Sequence, residues 1–189
     1  MGNKKKLLIL VLVFAILMGG AYVLYDRLGD MANVDQLQTQ PQESTAGTSA
    51  PESIQAPDFM VYDAEGNEVK LSAYIGKPIV LNFWASWCGP CQSEMPDFQK
   101  KYEELGDKIQ FLMVNMTAGR ETLDSAKSFI AQKGYTFPVF YDTKEQAAIA
   151  YSVYSLPTTY FIGADGNLVA QATGAINAEL LQKGIDMIK

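Results

Sequence analysis

Cys88 and Cys91 are the only cysteines in 189 residues, and they stand in the run Trp84-Ala85-Ser86-Trp87-Cys88-Gly89-Pro90-Cys91. Two thiols at that spacing can close an inert disulfide, supply half of a zinc site, or exchange bonds with a disulfide on another molecule. Zinc needs about four ligands, and the chain has no histidine and no further cysteine, so no metal is expected. A structural disulfide across so short a loop would constrain the unfolded chain little. Exchange chemistry asks for one sulfur that ionises readily and a second close enough to resolve the mixed disulfide.

The flanking residues meet that demand. Ile79-Val80-Leu81-Asn82-Phe83-Trp84 reads as a buried strand running into the pair. Beyond it, Met95, Phe98, Tyr102 and Leu105 recur every three or four residues, the apolar face of a helix. The cysteines therefore fall where a strand turns into a helix. Unpaired N–H groups of the first turn and the positive end of the helix dipole favour a thiolate there. Cys88 is accordingly expected to be the exposed, low-pKa sulfur that attacks. Cys91, one turn along the same face, is expected to be the more buried sulfur that resolves. Pro90 is tolerated near a helix start, where its missing donor has no intrahelical partner, while Pro96 in the interior is expected to kink the helix.

A Trp-Cys-Gly-Pro-Cys run after an apolar strand resembles thioredoxin. Ala56-Pro57-Asp58-Phe59, Leu81-Asn82-Phe83-Trp84-Ala85-Ser86-Trp87-Cys88 and Leu156-Pro157-Thr158-Thr159 extend the likeness. Together they are similar to the membrane-anchored TlpA/ResA-like branch of the thioredoxin superfamily, over residues 54–189. The resemblance implies a thioredoxin-like α/β fold: a mixed sheet flanked by helices, with an added N-terminal β-hairpin. It implies a cis Leu156–Pro157 bond lying against the cysteines, where the Leu156 backbone pairs with an extended substrate. Without the resemblance, Pro157 is simply a proline at a strand start. Trp87 would wall the approach to Cys88, making Trp87, Leu156 and Pro157 the substrate-binding set.

Asn82 stands where thioredoxin carries a buried aspartate that helps move the proton of the second cysteine, and an amide cannot titrate. ResA-like proteins carry a glutamate at the position of Glu94, three residues after Cys91, which is thought to accept that proton. A partly buried carboxyl with a raised pKa suits the task; the plain alternative is a solvated helix glutamate. The expected catalytic set is thus Cys88, Cys91 and Glu94, with no cofactor.

Gly89-Pro90 between the cysteines matches the reducing members, near ~−270 mV for thioredoxin, rather than strong oxidants near ~−120 mV. The expected activity is a protein-disulfide reductase acting on exported proteins, with apocytochrome c the best-known client of the resembling family. A membrane electron donor of the CcdA/DsbD type is implied as its source of reducing equivalents. A disulfide-forming or isomerising role is the first alternative. A thiol peroxidase shares the fold, but its Pro-x-x-x-Thr-x-x-Cys pattern is missing around Cys88. A non-catalytic binding module is the remaining alternative.

Residues 1–25 read as a cytoplasmic tip and a signal-anchor. Lys4, Lys5 and Lys6 precede Leu7–Tyr25, a run without charge that makes ~28 Å of helix against a ~30 Å hydrocarbon core. The basic flank leaves the N-terminus in the cytoplasm of a bacterial cell and the rest outside. A cleaved signal peptide is the alternative, with Gly19-Gly20-Ala21 a weak cleavage site. No cysteine follows the span closely, which argues against lipid modification. Residues 26–53, rich in Gln, Thr, Ser, Ala, Gly and Pro, read as a flexible linker. Net charge is −6, and −9 remains once the three leading lysines are set aside. That acidity argues against nucleic acid as a partner.

Within the domain the spacing predicts a hairpin over 58–71, strands over 79–84 and 109–116, and a helix over 121–133. A short edge strand or extended segment follows over 137–141, then a short helix over 144–151. A second hairpin is expected over 158–173 and a closing helix over 177–188, with Asn177 as its N-cap.

Overall fold

The computed structural model describes residues 13–14, 16–20, 37–39 and 53–189. The chain divides into Met1–Asp35 and Gln36–Lys189. In the first unit, residues 13–14 and 16–20 are helical; the remainder of the expected Leu7–Tyr25 span lies outside the described residues. Among the described residues no helix is long and apolar enough to cross a membrane.

In the second unit the strands are β1 (Leu37–Thr39), β2 (Met60–Tyr62), β3 (Glu68–Lys70), β4 (Ile79–Trp84), β5 (Gln110–Asn115), β6 (Val139–Tyr141), β7 (Thr158–Ile162) and β8 (Leu168–Thr173). The helices are α1 (Gly89–Leu105), α2 (Leu123–Lys133), α3 (Gln146–Ala150) and α4 (Ala178–Ile188). One sheet runs in the order β1-β8-β7-β4-β5-β6-β2-β3. The β4–β5 and β5–β6 pairs are parallel and the others antiparallel. This is the thioredoxin-like mixed sheet, with the N-terminal hairpin β2–β3 added at one side.

The two-residue period of the strands sorts the core into two layers. Val80 and Trp84 of β4, Phe111 and Met113 of β5 and Phe161 of β7 pack with Met95 and Phe98 of α1 and Leu181 and Ile185 of α4. Leu81 and Phe83, Leu112 and Val114, and Tyr160 and Ile162 face the opposite layer, with Val61, Leu71, Phe140 and Tyr151. β4 is buried at all six positions. Asn82 lies on the α1 side by the same alternation. At the far end of α1's layer, Gly184 comes so close to Phe161 that a Cβ there would sit 2.2 Å from the ring.

Three elements depart from the sequence reading. β6 is internal, because hairpin strand β2 pairs beyond it through Tyr62 and Tyr141. α2 begins at Leu123 rather than at Glu121: Thr122 is its N-cap in a capping box with Ser125, and Glu121 is drawn away to other partners. Leu37–Thr39, inside the stretch read as a linker, pairs with Ala170–Ala172 of β8 as an outer strand.

Candidate active site

β4 ends at Trp84 and α1 begins at Gly89, so four residues carry the chain from the middle of the sheet to the head of the helix. Cys88 is the N-cap of α1, with Gly89 and Pro90 as the first helical residues. The Cys91 N–H donates to Cys88 Sγ at 3.2 Å, a direct instance of the first-turn stabilisation expected for a sulfur at that place. Cys88 and Cys91 are joined as a disulfide. Cys91 is fully buried, as expected of the second sulfur of the pair. Cys88 is less exposed than the sequence reading has it, at 5%. Its accessibility comes from the wall of an open groove of about 630 Å³ rather than from the surface at large.

That groove is lined by Trp87, Cys88 and Pro90 on one side and Met116, Val153 and Leu156 among others. Trp87 is 45% exposed, and the guanidinium of Arg120 stacks 3.6 Å from its ring centroid. Trp84, by contrast, is wholly in the core. The Leu156–Pro157 bond is cis, as the resemblance implies. Leu156 shares the groove with Cys88, and the carbonyl of buried Pro157 accepts from the Gly174 N–H at 2.9 Å.

Glu94 is only 2% exposed, which removes the reading of it as a solvated helix residue. Its Oε1 accepts from Asn82 Nδ2 at 2.9 Å and its Oε2 accepts from the Ile176 N–H at 2.9 Å. Burial pushes its pKa up to about 7, against the opposing pull of the Ile176 and Asn82 hydrogen bonds. Asn82 Nδ2 also donates to Thr159 Oγ1 at 3.0 Å, its cross-strand neighbour on β7. Glu94 follows Cys91 by one helical turn, the spacing that puts two side chains on one face with Cβ atoms ~5–6 Å apart.

Two residues at the site carry no mark in the sequence. Glu121, 35 residues after Ser86, is 3% exposed and accepts from the Ser86 N–H at 2.5 Å and the Ser86 hydroxyl at 3.0 Å. Gln92 Nε2 donates to the Ser86 carbonyl at 2.6 Å. A glutamate ahead of a helix reads as a first-turn acid, and nothing local reveals a long-range partner.

The arrangement joins a helix-capping sulfur on a groove, a buried sulfur one turn behind it, and a buried carboxyl another turn behind that. Residues 53–171 match the AhpC/TSA family. The chain is 38% identical over 135 residues to the thiol-disulfide oxidoreductase ResA of Geobacillus kaustophilus, covering 71% of this chain and 76% of that protein. It is 34% identical over 184 residues to ResA of Bacillus thuringiensis, covering 95% of each. Among solved structures, the exposed lipoprotein thioredoxin Etrx1 of Streptococcus pneumoniae superposes with a TM-score of 0.60 at 32% identity. That match covers 68% of this chain and 98% of the other.

Proposed function

The chain belongs to the AhpC/TSA family and is a thioredoxin-like thiol-disulfide oxidoreductase of the ResA type, and we propose that it reduces disulfides of exported proteins outside the cytoplasm. In this reading the Cys88 thiolate attacks one sulfur of a client disulfide, forming a mixed disulfide and expelling the other client sulfur as a thiolate. Cys91 loses its proton to Glu94 and attacks Cys88 Sγ. The client leaves as a dithiol and the Cys88–Cys91 bond closes, so one disulfide is opened for each one formed. An extended client segment lies along the groove, between Trp87 and the Leu156 backbone ahead of Pro157.

The observation that carries this reading is Glu94 one turn behind Cys91, its carboxyl oriented by Asn82 and the Ile176 N–H and raised by burial to a pKa of about 7. A base poised there near neutrality serves deprotonation of the resolving thiol. The direction of electron flow rests on Gly89-Pro90, which adds no side-chain donor to over-stabilise the Cys88 thiolate. Lys4–Lys6 ahead of the uncharged Leu7–Tyr25 run support an uncleaved bacterial membrane anchor, with the oxidoreductase domain on the far side. Recharging then falls to a membrane electron donor of the CcdA/DsbD type, and apocytochrome c is a fitting client.

The reduction potential of the Cys88–Cys91 couple tests the direction. Equilibration with defined thiol buffers is expected to place it at the reducing end, near ~−270 mV; a value near ~−120 mV assigns an oxidant instead. A Cys91→Ser variant traps the client as a mixed disulfide. The mass of the membrane-associated protein, full-length or short by about two dozen residues, decides between anchor and cleaved signal.

A further inference from the structure

Ser86, two residues ahead of Cys88, is held at three points by side chains from other parts of the fold. Glu121 takes its N–H and its hydroxyl, and Gln92 donates to its carbonyl. The Glu121 carboxyl takes a further hydrogen bond from the hydroxyl of Ser125, the residue that closes the capping box at the head of α2. A buried carboxyl is costly unless its oxygens are satisfied, and these are satisfied by the active-site loop on one side and a helix cap on the other. Glu121 reaches this place through a turn over Ala118–Glu121, closed by the Glu121 N–H on the Ala118 carbonyl at 3.1 Å, with Gly119 at a φ of 64°. The residue before it, Arg120, stacks on Trp87. Two consecutive residues of one turn thus grip two consecutive residues of the loop that leads into Cys88.

We propose that Glu121 is a positioning residue for the exchange reaction: through Ser86 it keeps Cys88 Sγ over the N-terminus of α1 when the Cys88–Cys91 bond is open. The proposal rests on the redox reading of the cysteine pair. In the oxidised protein the disulfide itself ties Cys88 to the helix. Once reduced, the loop depends on hydrogen bonds: those on Ser86, the Cys88 N–H on Ala85 at 3.2 Å, and the Gln92 N–H on the Cys88 carbonyl at 3.0 Å. The benefit of the helix end fades within its first turn, so a small drift of Sγ away from the Cys91 N–H weakens the thiolate.

The test measures the pH dependence of Cys88 alkylation by iodoacetamide in the full-length chain carrying Cys91→Ser, which leaves one thiol to report. Glu121→Gln keeps the shape but replaces an acceptor oxygen with a donor facing Ser86. Ser86→Ala removes one hydrogen bond and leaves the carboxyl in place. Both are expected to move the alkylation profile to higher pH. At pH 7 the rate falls about tenfold for Glu121→Gln, which is about one pKa unit, and less for Ser86→Ala. An unchanged profile makes Glu121 merely structural. A profile moved to lower pH reports only the removal of a negative charge near the thiolate. Either result overturns the proposal. Where Glu121→Gln fails to fold, Ser86→Ala decides alone, an unchanged profile overturning it. Thiol–disulfide exchange of the unaltered chain with glutathione and glutathione disulfide is followed in parallel; no exchange in either direction refutes the redox reading itself, separately from the role of Glu121.

Discussion

Nδ2 of Asn82, on the central strand, lies 2.9 Å from Oε1 of Glu94, on the active-site helix. The amide cannot titrate, but it fixes one oxygen of a buried carboxyl that can, while the Ile176 N–H fixes the other. In the proposed mechanism the proton acceptor is this helix carboxyl, and a neutral strand residue orients it.

Glu94→Gln keeps the size of the side chain and removes the proton acceptor. With the carboxyl at about 7, exchange by the unaltered protein rises with pH through neutrality as Glu94 ionises. The variant loses that limb and runs about 10²-fold slower at pH 8. Stopped-flow measurement of the tryptophan signal on reaction with a disulfide peptide, from pH 5 to 9, checks both.

The same carboxyl makes stability depend on pH. Its folded pKa of about 7 stands above the ordinary 4.5, so between those values the native state holds a proton that the unfolded chain has released. Stability is fully present below about 4.5 and is lost as pH rises through about 7, by about 3 kcal/mol in all. Denaturant unfolding at pH 4.5 and pH 8 is expected to show that loss in the unaltered domain, and a decline smaller by that amount in Glu94→Gln.

Asn82→Asp brings a second carboxyl to the 2.9 Å contact with Glu94. Two carboxyls that close cannot both ionise easily, so they share a proton and titrate as a coupled pair. The expected outcome is a pH–rate profile for exchange displaced to the alkaline side of the unaltered protein, with two inflections in place of one. Asn82→Ala, which leaves Glu94 alone, produces no second inflection.

Gly184→Ala tests the packing of α4 on β7. A methyl group there would stand 2.2 Å from the Phe161 ring, so helix and strand must part or the ring must turn. Overpacking of this kind costs about 2 kcal/mol. Calorimetric melting is expected to show a lowered Tm, and Gly184→Ala combined with Phe161→Leu recovers part of it.

Much of the fold was legible because its elements carry strong local signs. The apolar run of β4, broken only by Asn82, the three-and-four spacing of α1, and the hairpin patterns over 58–71 and 158–173 each determine their own neighbourhood. That Cys88, Cys91 and Glu94 follow one another turn by turn was legible because they lie at the head of one helix, where sequence spacing is spatial spacing; the role given to Glu94 came from the resemblance. Glu121 was not: it meets Ser86 only because β4 and β5 pair side by side and bring the loops that follow them together, and an acid ahead of a helix has the same appearance whichever way it turns. The internal place of β6 was hidden for a similar reason, since three residues of strand do not say how many neighbours they have. The outer strand at Leu37–Thr39 is short and polar enough to read as tether, and only its pairing with β8 gives it form.

The sheet stops on both sides, among the described residues, in a strand of three residues, β1 at one margin and β3 at the other. A long bare margin would invite any unfolded chain to stack upon it; so brief a margin, with Glu68 and Lys70 exposed along β3, offers almost no purchase. For a molecule proposed to meet half-made proteins, that difference matters: such brief margins do little to hold an unfolded visitor, and the groove beside Cys88 is left to receive it.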